Sequence, residues 1–246
     1  MAEFFYIIIY QPLFNILIFL YNNISFGDLG VAVIFITIII KVILHPLGMR
    51  AARSQKEMEG IQPEIKRIQE KYKKNKEEQS KKIMELYKSK KINPFAGIFP
   101  IFIQLPILIS LFQIFRRGLG KEEMKHLYLF ITEPNSVNYN FLNIIDLSEP
   151  FIFFAIIAGL GQYFQMKITM NRKKNIDNKK EEGKSDVGKA IQGQMIYFLP
   201  GFTFIILLSL PSVVGLYWII TIIFAILQQH IIQKEDKKNI IKQEKK

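Results

Sequence analysis

The feature that most constrains this chain is the separation of its apolar and charged residues into long blocks. No residue between Lys91 and Arg116 is charged, and none from Pro150 to Met166. From Ala190 to Gln233 the single histidine, His230, is the only side chain that titrates near neutral pH. Crossing the hydrocarbon core of a bilayer takes roughly 20 apolar residues. The first two blocks therefore accommodate one crossing each, and the last accommodates two. One such block is compatible with a buried core helix of a soluble protein. Several of them in 246 residues leave too little polar surface to keep the chain dissolved. The expected fold is an all-α membrane protein.

Five crossings are expected, at residues 29–47, 94–115, 150–169, 194–211 and 213–233. Gly27, Asp28 and Gly30 mark the start of the first and Pro46 its end. Leu210-Pro211-Ser212 is the expected turn between the last two, since Pro breaks a helix and biases the residue before it away from one. Residues 4–24 are apolar with a thin polar stripe: Gln11, Asn15 and Asn22 fall within about 40° of one another at helical spacing. This segment either spans or lies flat in the interface, and no Lys or Arg before Lys41 decides between the two.

Charge sets the orientation. Of the 33 Lys and Arg residues, 14 lie in 50–92, 8 in 167–192 and 6 in 234–246, but only 4 in the connector 116–149. Basic residues mark the cytoplasmic side. Five crossings beginning outside put the three rich segments inside, so the chain is expected to be multi-pass with a cytoplasmic C-terminus; its frequent Ile, Lys, Asn and Phe suggest an AT-rich bacterial genome, and hence a bacterial plasma membrane. The stretch 170–192 is expected to be an irregular, mobile loop, and 234–246 a basic cytoplasmic tail. The basic excess also favours anionic lipids, at about 1 kcal/mol per nearby Lys or Arg. No sequence-specific nucleic-acid partner is expected.

The segment 50–92 reads as a helical hairpin. Ile61, Ile65, Ile68 and Tyr72 recur on one helical face, and Ile83, Met84 and Tyr87 begin a second after the polar run Lys73–Ser80. Such a charged arm is either a solvated spacer or a docking arm for nascent chains, ribosomes or other translocation components.

Catalytic motifs are missing. The chain has no cysteine, which excludes disulfides and thiolate chemistry. His45, His126 and His230 lie far apart, and no HExxH, GxSxG or GxxxxGK[ST] occurs. The expected protein is not an enzyme and uses neither cofactor nor metal. The N-terminus carries no basic n-region or small-residue cleavage site of a secretory leader.

The informative residue is Lys41, inside the first crossing. A charge at mid-bilayer costs about 2.5–3.5 kcal/mol on insertion scales. Either its stem snorkels to the headgroups or it faces a wet cavity. Gln104 in the second crossing, Gln162 and Gln165 on one face of the third, Ser209 and Ser212 at the hairpin top, and Trp218 in the fifth are the other polar groups available. Together with Lys41 they would make a positively charged groove, with no Asp or Glu in a confident crossing to neutralise it.

With these residues in view, the sequence resembles the YidC/Oxa/Alb family of membrane insertases along nearly its whole length. Thr37-Ile-Ile-Ile-Lys41 with Pro46-Leu47 is similar to the family's first core span. Ile61-Gln62-Pro63-Glu64-Ile65 and Ile68-Gln69-Glu70-Lys71-Tyr72 are similar to its cytoplasmic hairpin. Asn93-Pro94-Phe95-Ala96-Gly97, Pro100 and Gln104-Leu105-Pro106-Ile107 are similar to its second span. Tyr197-Phe198-Leu199-Pro200, Leu210-Pro211-Ser212, Gly215-Leu216-Tyr217-Trp218 and Gln228-Gln229 are similar to its final hairpin.

The resemblance implies a five-span core, residues 29–233, around a hydrophilic groove open to cytoplasm and lipid and closed outside. It implies an interfacial amphipathic helix within residues 1–28. It further implies nascent membrane proteins as clients, whose polar tails enter the groove while their apolar segments slide into lipid, with the Sec translocon as partner for some. The expected groove set is Lys41, Gln104, Gln162, Gln165 and Trp218. Lys41 stands where bacterial members typically carry Arg. A lipid-anchoring Cys and a large extracytoplasmic domain, known in other branches, are not expected here. The competing reading is a small-solute transporter or channel; no inverted repeat and no acidic coupling residue in a confident span favours it.

Overall fold

The computed structural model describes residues 2–93, 99–177 and 186–244. The chain begins with α1 (Ala2–Phe5), a π-helical turn (Tyr6–Tyr10) and α2 (Gln11–Asn23), which run on as one apolar rod. Then come α3 (Leu29–Gly60), α4 (Gln62–Lys71), α5 (Lys76–Ser89) and α6 (Phe99–Arg117). The connector carries α7 (Lys121–Met124), β1 (Asn140–Phe141) and β2 (Ile145–Asp146), followed by α8 (Ile152–Asp177), α9 (Asp186–Leu207) and α10 (Ser212–Glu244). Among the described residues, three segments are long and apolar enough to cross a membrane: Glu3–Asn23, Leu29–Ala51 and Ser212–Ile232. Ile152–Ile168 and Ile196–Leu207 are shorter apolar helices. The result is a mostly helical membrane protein.

Several local expectations change. Helix α3 does not end at Pro46 but continues through it to Gly60. Pro46 removes one hydrogen bond, to the carbonyl of Val42, and the turns on either side carry the helix past it. The expected irregular loop 170–192 is helical on both flanks, α8 reaching Asp177 and α9 starting at Asp186, and residues 178–185 lie outside the described set. The tail 234–246 continues α10 as far as Glu244. The second span expected at 94–115 is described from Phe99, and the motif residues Pro94–Gly97 lie outside.

The hairpin forms as two helices, α4 and α5. Pro63 sits in the first turn of α4, where its missing N–H costs nothing. Asn75 caps α5 by accepting the N–H of Glu78 at 3.1 Å. Lys90 pairs with Glu64 at 2.9 Å across the two helices. Ile61 and Ile65 are buried, whereas Met84 is exposed and does not join the apolar face expected for it.

The core is polarised along the bundle. On α3 the buried residues are Leu29, Gly30, Ala32, Val33, Ile36, Thr37 and Ile40, and beyond Lys41 only Ala51 among the described ones. On α6 they are Ser110, Leu111, Ile114 and Phe115, in its C-terminal half. Phe154, Ala155 and Ala158 mark the start of α8, and Val213, Val214, Leu216 and Tyr217 the start of α10. Packing is therefore dense at the connector end and thin toward the α4–α5 end.

The connector closes the dense end. Ser212 donates its hydroxyl to the Asp146 carbonyl at 2.9 Å, and the Ser212 and Val213 amides bond the carbonyls of Glu149 and Leu147. Asp28 accepts the Val31 amide at 3.0 Å with one carboxylate oxygen and the Leu142 amide at 2.6 Å with the other. One side chain thus starts α3 and ties the β1–β2 hairpin to it.

Gly30 supplies the space beside that tie. A Cβ there would overlap the Phe141 ring at Cδ2 and come within 2.8 Å of the Phe141 Cβ, so the strand itself would have to move. Gly30→Ala is expected to destabilise the protein by about 1–3 kcal/mol through overpacking, read as a lower Tm in detergent. Adding Phe141→Ala should restore part of the loss; an unchanged Tm for the single variant would show that β1 yields freely.

Candidate functional site

The polar residues of the apolar helices assemble into two clusters that share α10. In the first, Lys41 Nζ on α3 donates to Gln104 Oε1 on α6 at 2.7 Å. The Gln104 amide nitrogen in turn donates to the hydroxyl of Tyr217 on α10. In the second, Gln162 Oε1 on α8 accepts from the hydroxyl of Thr203 on α9 at 2.6 Å and from Trp218 Nε1 on α10 at 3.4 Å. Tyr217 and Trp218 are consecutive, so their side chains leave α10 about 100° apart and each serves one cluster. Gln165 is half-buried one turn along α8 from Gln162. Ser209 is exposed and Ser212 is used by the connector, so neither joins these clusters.

Lys41 is chemically distinctive. It makes no ion pair among the described residues, and one uncharged amide oxygen is its hydrogen-bond acceptor there. An ammonium has three donors, so two remain for an incoming group. Its depth is equally telling: Ile40 beside it is buried in the core, whereas Val42 and Ile43 face outward. Lys41 thus stands where dense packing gives way. One turn further, His45 packs its ring edge-on against Phe224 with centroids 6.0 Å apart. His45 Nδ1 and Gln228 Nε2 are buried without a hydrogen-bond partner among the described residues. Lys41 and His45 lie on one face of α3, and Tyr217, Phe224 and Gln228 on one face of α10, at helical spacing. The polar seam therefore runs from the Lys41 cluster toward the α4–α5 end.

Toward the connector the seam stops. Val33, Leu108, Leu111, Phe115, Val213 and Val214 line an apolar interstice above Tyr217. Water and charge have no polar partner there.

Sequence reasoning found Lys41, Gln104, Gln162 and Trp218 because each interrupts an apolar run. It missed Tyr217 and Thr203, whose amphipathic side chains blend into such a run. Their signal lies in the neighbouring helices: each meets a Gln that interrupts the apolar run of the helix beside it.

The N-terminal polar stripe finds its partners in the connector. Gln11 and Asn15 both donate to the His126 carbonyl at 3.1 Å, and Asn15 accepts the Tyr128 amide at 2.6 Å. Asn22 donates to the Thr132 carbonyl at 2.7 Å. Tyr10 donates to Glu123 at 2.7 Å, and Tyr21 accepts the Asn138 amide at 2.9 Å.

The family described as 60Kd inner membrane protein matches residues 19–239. A Fusobacterium nucleatum subsp. nucleatum protein named membrane protein insertase YidC is 32% identical over 229 residues, 92% of this chain and 98% of its own length. The protein of that name from Buchnera aphidicola subsp. Baizongia pistaciae is 33% identical over 232 residues, 94% of this chain but 38% of its own. That from Francisella philomiragia subsp. philomiragia is 29% identical over 208 residues, 85% of this chain and 33% of its own. The match thus covers nearly the whole of the Fusobacterium protein and about a third of the other two.

Proposed function

The chain belongs to the YidC/Oxa/Alb family of membrane protein insertases, its function is membrane protein insertion, and from that premise we propose that Lys41 heads a hydrated groove through which client tails pass. The observation that carries this reading is the position of Lys41: a cation with free donors and no acidic neighbour among the described residues, at the level where core packing ends. Desolvating a polar tail is the main barrier to its entry into the bilayer. A seam lined by Lys41, Gln104, Tyr217, His45 and Gln228 lowers that barrier by offering hydrogen bonds inside the membrane. Lys41 attracts acidic tails in particular. Burial of the client's apolar segment in lipid supplies the driving force.

Five spans, carried by α3, α6, α8, α9 and α10, surround this seam in the proposed topology, with the α4–α5 hairpin and the C-terminus in the cytoplasm. Gln162, Gln165, Thr203 and Trp218 form its second wall. The rod from Ala2 to Asn23 lies flat on the outer side: what supports this is that the hydrogen-bond partners of its side chains outside the rod, from Tyr10 to Asn22, belong to the connector, which it follows lengthwise. The Sec translocon, the ribosome and anionic lipids are the proposed partners, through the basic hairpin.

The test is insertion of a short-tailed, single-span client into liposomes holding this protein alone. A protease-protected client that appears only in these vesicles is expected. No protection with well-folded protein would sink fuel-free, partner-free insertion. Ion flux through the same vesicles would instead favour a channel.

A further inference from the structure

A second part of the molecule is built for contact with something outside it. Strands β1 and β2 pair Asn140 with Asp146 and Phe141 with Ile145. The Ile144 amide closes the turn on the Phe141 carbonyl at 3.0 Å. Its two central residues, Leu142 and Asn143, have φ of +53° and +56°, the left-handed region that favours Gly and Asn. A leucine there is strained, and it gains no burial in return: Leu142 and Ile144 are 59% and 82% exposed. Beside them, Phe26 repeats the pattern, with φ +54° and complete exposure. Strain kept at Leu142 and Phe26, which stay largely or wholly exposed, points to a role outside the chain.

The tip is also aimed. Asp28 bonds the Leu142 amide while starting α3, and Phe141 fills the space over Gly30. The three side chains are therefore held beside the first turn of α3 rather than swinging free. From that turn the lipid-facing surface of α3 begins, with Phe35, Ile38 and Ile39 exposed along it.

We infer that Phe26, Leu142 and Ile144 form an anchor that inserts into the leaflet around the first turn of α3, with lipid as its occupant. The apolar surface of a membrane-crossing helix begins next to this patch, so the bilayer that covers α3 reaches the tip as well. The inference rests on α3 crossing the membrane and is independent of the groove. Leu129 and Phe130, also exposed on the connector, give a second contact with the same leaflet.

The absence of native cysteine makes the test direct. Single variants Phe26→Cys, Ile144→Cys and Leu129→Cys, with Asn135→Cys as a water reference, carry a nitroxide in the full-length protein in liposomes. Power saturation then compares collisions with oxygen and with a water-soluble nickel chelate. Labels at 26, 144 and 129 are expected to meet oxygen more than nickel, and the label at 135 the reverse. In an Asp28→Ala background the label at 144 should become more mobile and more open to nickel. Labels at 26 and 144 as open to nickel as that at 135 would place the tip in water and overturn the anchor. Protection from both reagents would mean a protein contact, such as a second copy, and would overturn it too. Insertion measured on the same vesicles separates this outcome from failure of the groove.

Discussion

Lys41→Ala is expected to cut insertion of clients with acidic translocated tails by roughly ten- to a hundredfold. A hydrogen bond to a charged group contributes about 1.5–3 kcal/mol, and each 1.4 kcal/mol is about tenfold. The variant also leaves Gln104 Oε1 without the donor now 2.7 Å away, which loosens the α3–α6 contact. Lys41→Arg keeps the charge and should retain most activity, although its planar fork needs a different approach to Gln104. Lys41→Gln keeps a donor without the charge, and should resemble Ala for acidic tails but not for neutral ones. The measurement is protease protection of two clients that differ only in tail charge. Equal insertion of both by Lys41→Ala at wild-type level would end the claim that this cation recruits the tail.

Asn15→Leu is expected to be the most damaging single change to the fold. Asn15 is buried and bonds the connector twice, donating to the His126 carbonyl and accepting the Tyr128 amide. Leucine is larger than Asn in this closed site, which costs about 1–3 kcal/mol by overpacking; it also strands the Tyr128 amide at about 1–3 kcal/mol, and leaves the His126 carbonyl to Gln11. A loss of about 3 kcal/mol is a sizeable share of the stability of an ordinary domain. It should appear as a lower Tm and as faster proteolysis between Lys121 and Asn138, with Lys41 chemistry intact in whatever folds. Gln11→Leu tests the assignment: it removes one of the two donors to the His126 carbonyl and leaves the Tyr128 amide bonded to Asn15, so its cost should fall between those of wild type and Asn15→Leu. Equal stability of all three would show that the connector is held elsewhere.

The apolar blocks made the helices legible because burial in lipid leaves a backbone no other choice. Lys41 and Gln104 were legible for the same reason reversed: a polar side chain in such a block is costly unless something answers it, and here each answers the other. Tyr217 was not, because a ring that reads as apolar in composition carries its hydrogen bond at the tip. The stripe of Gln11, Asn15 and Asn22 was visible, but its target was not. Its partners include the carbonyls of His126 and Thr132 and the amide of Tyr128, and a backbone group leaves no trace in the residue type. The run of α3 past Pro46 was hidden by the ordinary penalty of proline, which local sequence counts and neighbouring turns override. The strained tip of β1–β2 was likewise invisible, since Leu142-Asn143 lacks the glycine that usually announces such a turn.

The unbroken α3 has a mechanical consequence. Its 32 residues make a rod about 48 Å long against a hydrocarbon layer of about 30 Å. The connector grips one end through Asp28 and Gly30, and the other end carries the α4–α5 hairpin. Such a rod is a pointer pivoted at its clamped end. Tilting it by ten degrees sweeps Gly60 through about 8 Å but Lys41 through only about 3 Å. Loads on the hairpin therefore reach the cation geared down, and Pro46 is where the pointer flexes first.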